Sequence, residues 1–301
     1  MRAATRETIE VDGHRVGVTV AGDGPPLVLL HGIGRDRDDW VALQPLLATR
    51  WTTYAVDLEG FGVSEPWGPS VTLASMAALV RRTLAALGET RPLHVVGNSL
   101  GGAVALRLAA DDPASIAALV LISPAGFGRE AVFGLRLLTV PGLGRALLAL
   151  ESTAPSLLLK RTVLDRDPVR RRLAVEAGLR LRRPGAKQAY LQVVHDLGGW
   201  GGIHEAWRRE LLSALAASGV PALVLWGERD TVLPFAHFAS VAEAVPHAVA
   251  ESLPGFGHMP QLEDPELIAA RIETFFAGLP GGEGLSRDGR PASAAAGSRP
   301  A

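Results

Sequence analysis

Short, unbroken apolar runs alternate along much of this chain with longer stretches in which apolar residues return every three or four positions. Residues 26–30 and 117–122 are runs of the first kind, and 52–56 and 93–96, with Thr52, Thr53 and His94 among apolar residues, come close enough to be strands buried on both faces as well. Residues 72–87 are of the second kind: Leu73, Met76, Val80, Leu84 and Leu87 share one helical face, Thr72 supplies an N-cap and Gly88 a stop. Residues 39–48 and 100–110 also read as helices. Ahead of them, residues 8–11 and 15–20 flank Asp12-Gly13, a pair that tolerates positive φ and therefore predicts a tight antiparallel hairpin. The alternation returns late, with strands over 221–226 and 248–253 and helices over 235–244 and 265–276.

This order predicts an α/β fold, a mostly parallel sheet with helices on both faces, whose ligands collect beyond the carboxyl ends of the strands. Between 126 and 210 the alternation stops, and Leu- and Arg-rich helical segments are broken at Pro141, Pro155, Pro168 and Pro184. We therefore expect a core from 1–125 and 211–279, a helical cap inserted over 126–210, and a tail over 280–301 too poor in large apolar residues to order itself.

At residues 97–101 the strand pattern meets the helix pattern in Gly-Asn-Ser-Leu-Gly. A serine on such a sharp strand-to-helix turn needs neighbours without β-carbons, and its hydroxyl is then thrust above the sheet; this is a nucleophile elbow centred on Ser99. A serine hydroxyl is a poor nucleophile near neutral pH unless a positioned base removes its proton. Of eight histidines, His14 and His94 fall in strand or hairpin patterns and His247 just before a strand. His258 stands in a glycine-rich loop, Gly255-Phe256-Gly257-His258-Met259-Pro260, after the last strand. A carboxylate must orient that base, and Asp230, just beyond the 221–226 strand, is the candidate, with Glu228 its local competitor. The chain order Ser99, Asp230, His258 is the one expected when the serine stands on such an elbow. His31-Gly32-Ile33-Gly34, directly after the 26–30 strand, offers an exposed amide at Ile33 that would join that of Leu100 as an oxyanion hole; His31 is expected to brace this loop through its ring nitrogens.

Composition narrows the field. Thirty basic against 31 acidic residues leave a formal net charge of −1, which argues against a binder that works by neutralising nucleic-acid phosphates. The lack of cysteine removes thiolate chemistry and disulfides. Residues 1–11 carry Arg2, Arg6, Glu7 and Glu10 in place of a signal-like apolar stretch, and no run resembles a membrane span, so a cytoplasmic protein is expected. Oligomeric state is not legible.

At these positions the chain resembles the α/β-hydrolase family: Gly-Pro-Pro-Leu-Val-Leu-Leu-His-Gly over 24–32, Asp-Leu-Glu-Gly-Phe-Gly-Val-Ser over 57–64, the glycines of 97–102, Trp-Gly-Glu-Arg-Asp over 226–230 and Gly-His-Met-Pro over 257–260. The likeness runs from about residue 8 to 277 and is weaker in the cap. It implies an eight-stranded core, a Ser-Asp-His triad and a mobile cap, with Glu59 standing where the family usually has proline. Related haloalkane dehalogenases and epoxide hydrolases use aspartate where this chain has Ser99, so acyl transfer to serine is the implied chemistry, needing neither metal nor organic cofactor.

The leading expectation is a hydrolase of a moderately apolar carboxylic ester, a small-molecule substrate. Carbon–carbon bond hydrolysis of a diketone acid is the alternative, because residues 97–102 and Ser123-Pro124-Ala125-Gly126 resemble meta-cleavage product hydrolases. Those carry tryptophan where Met259 stands here, and their substrate carboxylate needs a cation. The cap offers Lys160, Arg161, Arg166, Arg170, Arg171, Arg172, Arg180, Arg182, Arg183 and Lys187, although arginines on amphipathic helices usually form a solvated face. A third reading, a small-molecule receptor on the same fold, is disfavoured by a complete triad. For the pocket, Gly32, Gly34, Phe127, Phe133, Leu137, Leu138, Trp200, Trp207 and Met259 are candidates.

Overall fold

The computed structural model describes residues 3–151, 179–183 and 185–280. The expected tail and most of the cap's basic cluster, from Lys160 to Arg172, lie outside the described residues.

The amino-terminal hairpin pairs β1 (Thr5–Val11) with β2 (His14–Ala21). Both turn residues have positive φ, 51° at Asp12 and 82° at Gly13, as a two-residue turn matched to strand twist requires. Strands β3 (Pro26–Leu30), β4 (Thr52–Val56), β5 (Leu93–Asn98) and β6 (Ile116–Ile122) follow, then a two-residue ribbon of β7 (Gly198–Gly199) and β8 (Gly202–Ile203), and finally β9 (Ala222–Gly227) and β10 (Val249–Leu253). The main sheet has eight strands in the order β1-β2-β4-β3-β5-β6-β9-β10. Only β2 pairs antiparallel with its neighbours on both sides; from β4 to β10 the pairing is parallel.

The inner strands β3 to β6 and β9 are mainly apolar because each side of the sheet is covered there. Val28, Val56, Val95, Leu119 and Val224 face a layer that includes Met76 and Val80 of α1 (Leu73–Ala86), Val104 and Leu108 of α2 (Leu100–Asp111), and residues of a later helix named below. Leu27, Leu29, Val96, Val120 and Leu225, one position out of phase, face Trp40, Leu43, Trp51 and the closing helix. The period-2 reversal of side chains along each strand divides the core into these two layers.

The cap contributes α3 (Phe133–Leu138), α4 (Leu143–Glu151) and α5 (Ala186–Leu197). Helix α6 (Glu205–Ser218) runs unbroken through residue 210, where the pattern placed the end of the cap, and buries Leu211 and Leu215 in the layer that holds α1 and α2. Its first two turns carry Glu205 and Arg209 outward, while Arg208 donates through Nε to Gly126 O at 2.8 Å and Glu210 pairs with Arg107 of α2. Helix α7 (Pro265–Ala277) closes the opposite layer with Ile268, Ile272 and Phe276. The helix expected over 39–48 is instead two short turns, 37–40 and 44–47, and that over 235–244 begins as a 3-10 turn at 235–240. No described helix is long and apolar enough to cross a membrane.

After β4 the chain returns past β3 and lays β5 on its other side. The loops leaving β3 and β5 therefore diverge, and this reversal opens a crevice at the sheet's carboxyl edge. Gly32-Ile33 leaves one side of it and Ser99 the other.

Candidate active site

Ser99 has φ 56° and ψ −113°, a conformation costly for a residue with a β-carbon. Its backbone is held on three sides: its amide donates to Ile122 O at 3.0 Å, and its carbonyl accepts from Gly102 and from Ala125, both at 3.0 Å. At Gly101 a β-carbon would stand 2.1 Å from Leu30 O, so only glycine lets α2 start this close to β3. Ser99 is 7% exposed. Leu100 and Ile33 flank it in the wall of one cavity, and among the described residues neither amide donates to a protein group. Gly32 lies against the elbow, where a β-carbon would stand 3.5 Å from that of Ser99.

The loops after β9 and β10 are laced together. Arg229 N donates to Phe256 O at 2.8 Å, and Gly227 must be glycine because a β-carbon there would stand 2.0 Å from Gly257 O. This lacing delivers His258 Nδ1 to Asp230 Oδ2 at 2.7 Å. The other Asp230 oxygen accepts from Val232 N at 2.8 Å and Leu233 N at 3.0 Å, so the carboxylate is fully engaged and its side chain has no exposed surface. Glu228 points elsewhere, accepting from Ser252 Oγ at 3.1 Å. The Gly257 amide donates to the Glu263 carboxylate at 3.0 and 3.1 Å, steadying the loop.

Asn98, a residue the sequence reading passed over, connects the two halves. Its Nδ2 donates to Ile122 O and to His258 O, each at 3.0 Å, tying the histidine loop to the residue next to the serine. Among the described residues the Ser99 hydroxyl itself makes no hydrogen bond, so the serine–histidine contact is open in this structure. Nucleophile–base bonds in unliganded sites are often long and tighten when substrate arrives.

His31 is fully buried. Its Nδ1 meets Gly32 O at 2.8 Å while Nε2 accepts from Leu58 N at 2.9 Å, so the ring is neutral with its proton on Nδ1 and pins the β3 loop. Over this loop, Arg180 and Arg183 of the cap reach Asp36 Oδ2 at 2.8 and 3.6 Å. Burial works against ionisation of Asp36, but Arg180, with lesser help from Arg183, outweighs it and holds the carboxyl below its ordinary range. Glu59 is wholly buried and accepts from Trp67 N at 2.8 Å through one oxygen.

The cavity beside Ser99 has a volume of about 60 Å³. Leu135, Val194, Leu197, Ile203 and Val232 give it an apolar wall, and Arg136 is the one charged residue among the described lining residues. Several pocket candidates stand elsewhere. Phe127 is packed edge-on to Trp226 in the core, Leu138 belongs to the cap's own small core, and Leu137 and Met259 are absent from the cavity wall. Phe133 and Trp200 form an exposed edge-to-face pair, 58% and 52% accessible, outside the cavity. Gly34, at φ 70°, carries the Tyr190 ring against it, and Trp207 Nε1 donates to Leu197 O at 2.9 Å. Of the missed wall residues, only Gly198-Gly199 and Gly202 had a signal, as a glycine-rich hairpin.

The family described as alpha/beta hydrolase fold matches residues 25–265. The dihydrolipoyllysine-residue acetyltransferase component of an acetoin cleaving system from Cupriavidus necator is 34% identical over 281 residues, covering 92% of this chain and 70% of that protein. A pimeloyl-[acyl-carrier protein] methyl ester esterase from Aeromonas hydrophila is 29% identical, covering 86% of this chain and 98% of the esterase. Among solved structures, Cfl2 from Burkholderia cenocepacia superposes with a TM-score of 0.75 at 22% identity, over 91% of this chain and 96% of its own, a likeness of fold.

Proposed function

The chain belongs to the alpha/beta hydrolase fold family, and from that premise we propose that it is a serine hydrolase cleaving a carboxylic ester of a moderately apolar small molecule. The observation that carries this reading is the 2.7 Å His258–Asp230 pair tied through Asn98 to a serine on a strained elbow beside an apolar cavity. The relatives named as a methyl ester esterase and an acetyltransferase component support acyl chemistry.

In this mechanism Ser99 Oγ attacks the ester carbonyl while His258 Nε2 takes its proton. The negative charge moves to the carbonyl oxygen, where the Leu100 and Ile33 amides receive it. The tetrahedral intermediate collapses, the carbon–oxygen bond to the alcohol breaks, and His258 protonates the leaving oxygen. Water, deprotonated by the same imidazole, then attacks the acyl-serine and releases the acid, restoring Ser99. Asp230 holds the proton on Nδ1 and stabilises the imidazolium formed in each half.

A panel of short and medium p-nitrophenyl esters tests the reading. Turnover by the wild type that Ser99→Ala reduces to background is expected; equal rates from the two proteins would contradict it.

A further inference from the structure

Arg136 differs from Arg180 and Arg183, the cap arginines that reach over the β3 loop. Arg180 and Arg183 are committed to Asp36, whereas Arg136 meets no carboxylate among the described residues. It is nevertheless held in place. Its Nε donates to Trp200 O at 2.8 Å, and its guanidinium carbon lies 5.4 Å from the centroid of the Trp200 ring. These two contacts fix the plane of the guanidinium and use one donor of five, and both terminal amino groups make no hydrogen bond among the described residues. The same residue lines the cavity that holds Ser99, whose remaining described wall is apolar apart from Ser99, Thr139 and backbone. Trp200, over whose ring the guanidinium lies, is half-exposed and Ser99 is nearly buried, so the cation stands nearer the surface than the nucleophile.

A cation fixed at the mouth of an otherwise apolar slot is a recognition element for a molecule built in the complementary order. We propose that Arg136 selects esters whose far end carries a carboxylate or phosphate, joined by a short apolar spacer to the acyl carbon that Ser99 attacks. The proposal rests on the ester-hydrolase reading and names its substrate class: half-esters of dicarboxylic acids or their phosphono counterparts. The guanidinium fork accepts such a planar or tetrahedral oxyanion through two parallel N–H donors, which an ammonium does not reproduce. Arg136 is here a specificity-determining residue and takes no part in bond breaking.

The test compares mono-p-nitrophenyl succinate, glutarate and adipate with the p-nitrophenyl monocarboxylates of equal chain length, using wild type, Arg136→Gln and Arg136→Lys. A glutarate analogue ending in phosphonate tells phosphate from carboxylate recognition. At one or more lengths the wild type should favour the anionic ester by about 10-fold or more in kcat/KM, the worth of a charge-assisted hydrogen bond. Arg136→Gln should erase that preference while changing the neutral ester less than about 3-fold, and Arg136→Lys should keep part of it. Should the Gln variant melt early, the Lys variant carries the comparison. No preference at any length, or equal losses on both members of a pair, overturns the proposal and leaves ester hydrolysis standing, because the neutral esters still turn over. If no ester turns over, the hydrolase reading falls, and Arg136 is judged by titrating Ser99→Ala protein with monomethyl glutarate and methyl valerate while following tryptophan fluorescence. Saturation by the anionic compound alone, abolished by Arg136→Gln, upholds the anion site; identical titrations refute it.

Discussion

Asp230 does its work through two different oxygens. One accepts two backbone amides, from Val232 and Leu233, and thereby fixes the carboxylate; the other takes the proton side of His258 Nδ1 at 2.7 Å. An amide in its place keeps the shape but can turn its NH₂ toward Nδ1, and the imidazole would then hold its proton on the wrong nitrogen. Asp230→Asn should therefore lower kcat on the order of 1,000 to 10,000-fold with an unchanged melting curve. A loss below about 10-fold would mean that the carboxylate is only a loop brace. Glu228, one turn of loop away, should tolerate replacement by Gln, since its bond to Ser252 is exposed. The elbow and the histidine loop were legible because each is a local device: a strained turn demands small neighbours at fixed offsets, and those offsets are visible in one dimension. Asn98 was not, since its two acceptors, Ile122 O and His258 O, are 24 and 160 residues away.

Helix α6 crosses the boundary that the sequence pattern sets at residue 210 between cap and core. Its first two turns are charged, as a cap helix would be, yet Leu211 and Leu215 sit at 1% and 0% exposure beside α2. Leu215→Ala should cost about 2–5 kcal/mol in denaturant unfolding through lost transfer energy and the cavity left behind. A cost near zero would place α6 outside the cooperative core. The wall of the Ser99 cavity escaped the sequence for a related reason. Periodicity says that Leu135, Leu137 and Leu138 share a short apolar helix, but which of them meets the cavity depends on how α3 is rotated against α5. The aromatics Phe133 and Trp200, pocket candidates by residue type, instead meet edge to face at the surface, where Trp200 carries Arg136 over its ring.

Away from the site, His94 is a group whose protonation opposes folding. His94 lies in β5 between the rings of Trp51 and Phe276, 4.6 and 4.8 Å away, and burial, only partly offset by the Pro26 backbone, pulls its pKa down to about 4. The folded protein therefore stays neutral at this site where the unfolded chain, titrating near 6.5, takes up a proton. Stability from this source is complete above about pH 6.5 and drains away as the pH falls toward 4, by about 2–3 kcal/mol in all. Denaturant unfolding at pH 7 and 4.5 should show a loss for the wild type that is smaller by this amount for His94→Phe; parallel losses would show that the imidazole is not the source. The layered sheet, its strand-order reversal and the carboxyl-edge loops converge on one chemical claim, that Ser99 is a nucleophile activated by His258. Intact-mass measurement after treatment with a fluorophosphonate tests it. One phosphonyl group per chain, located on Ser99 and formed far more slowly in His258→Ala, is the result expected. A label that persists in Ser99→Ala, or none at all on the folded wild type, would contradict the claim.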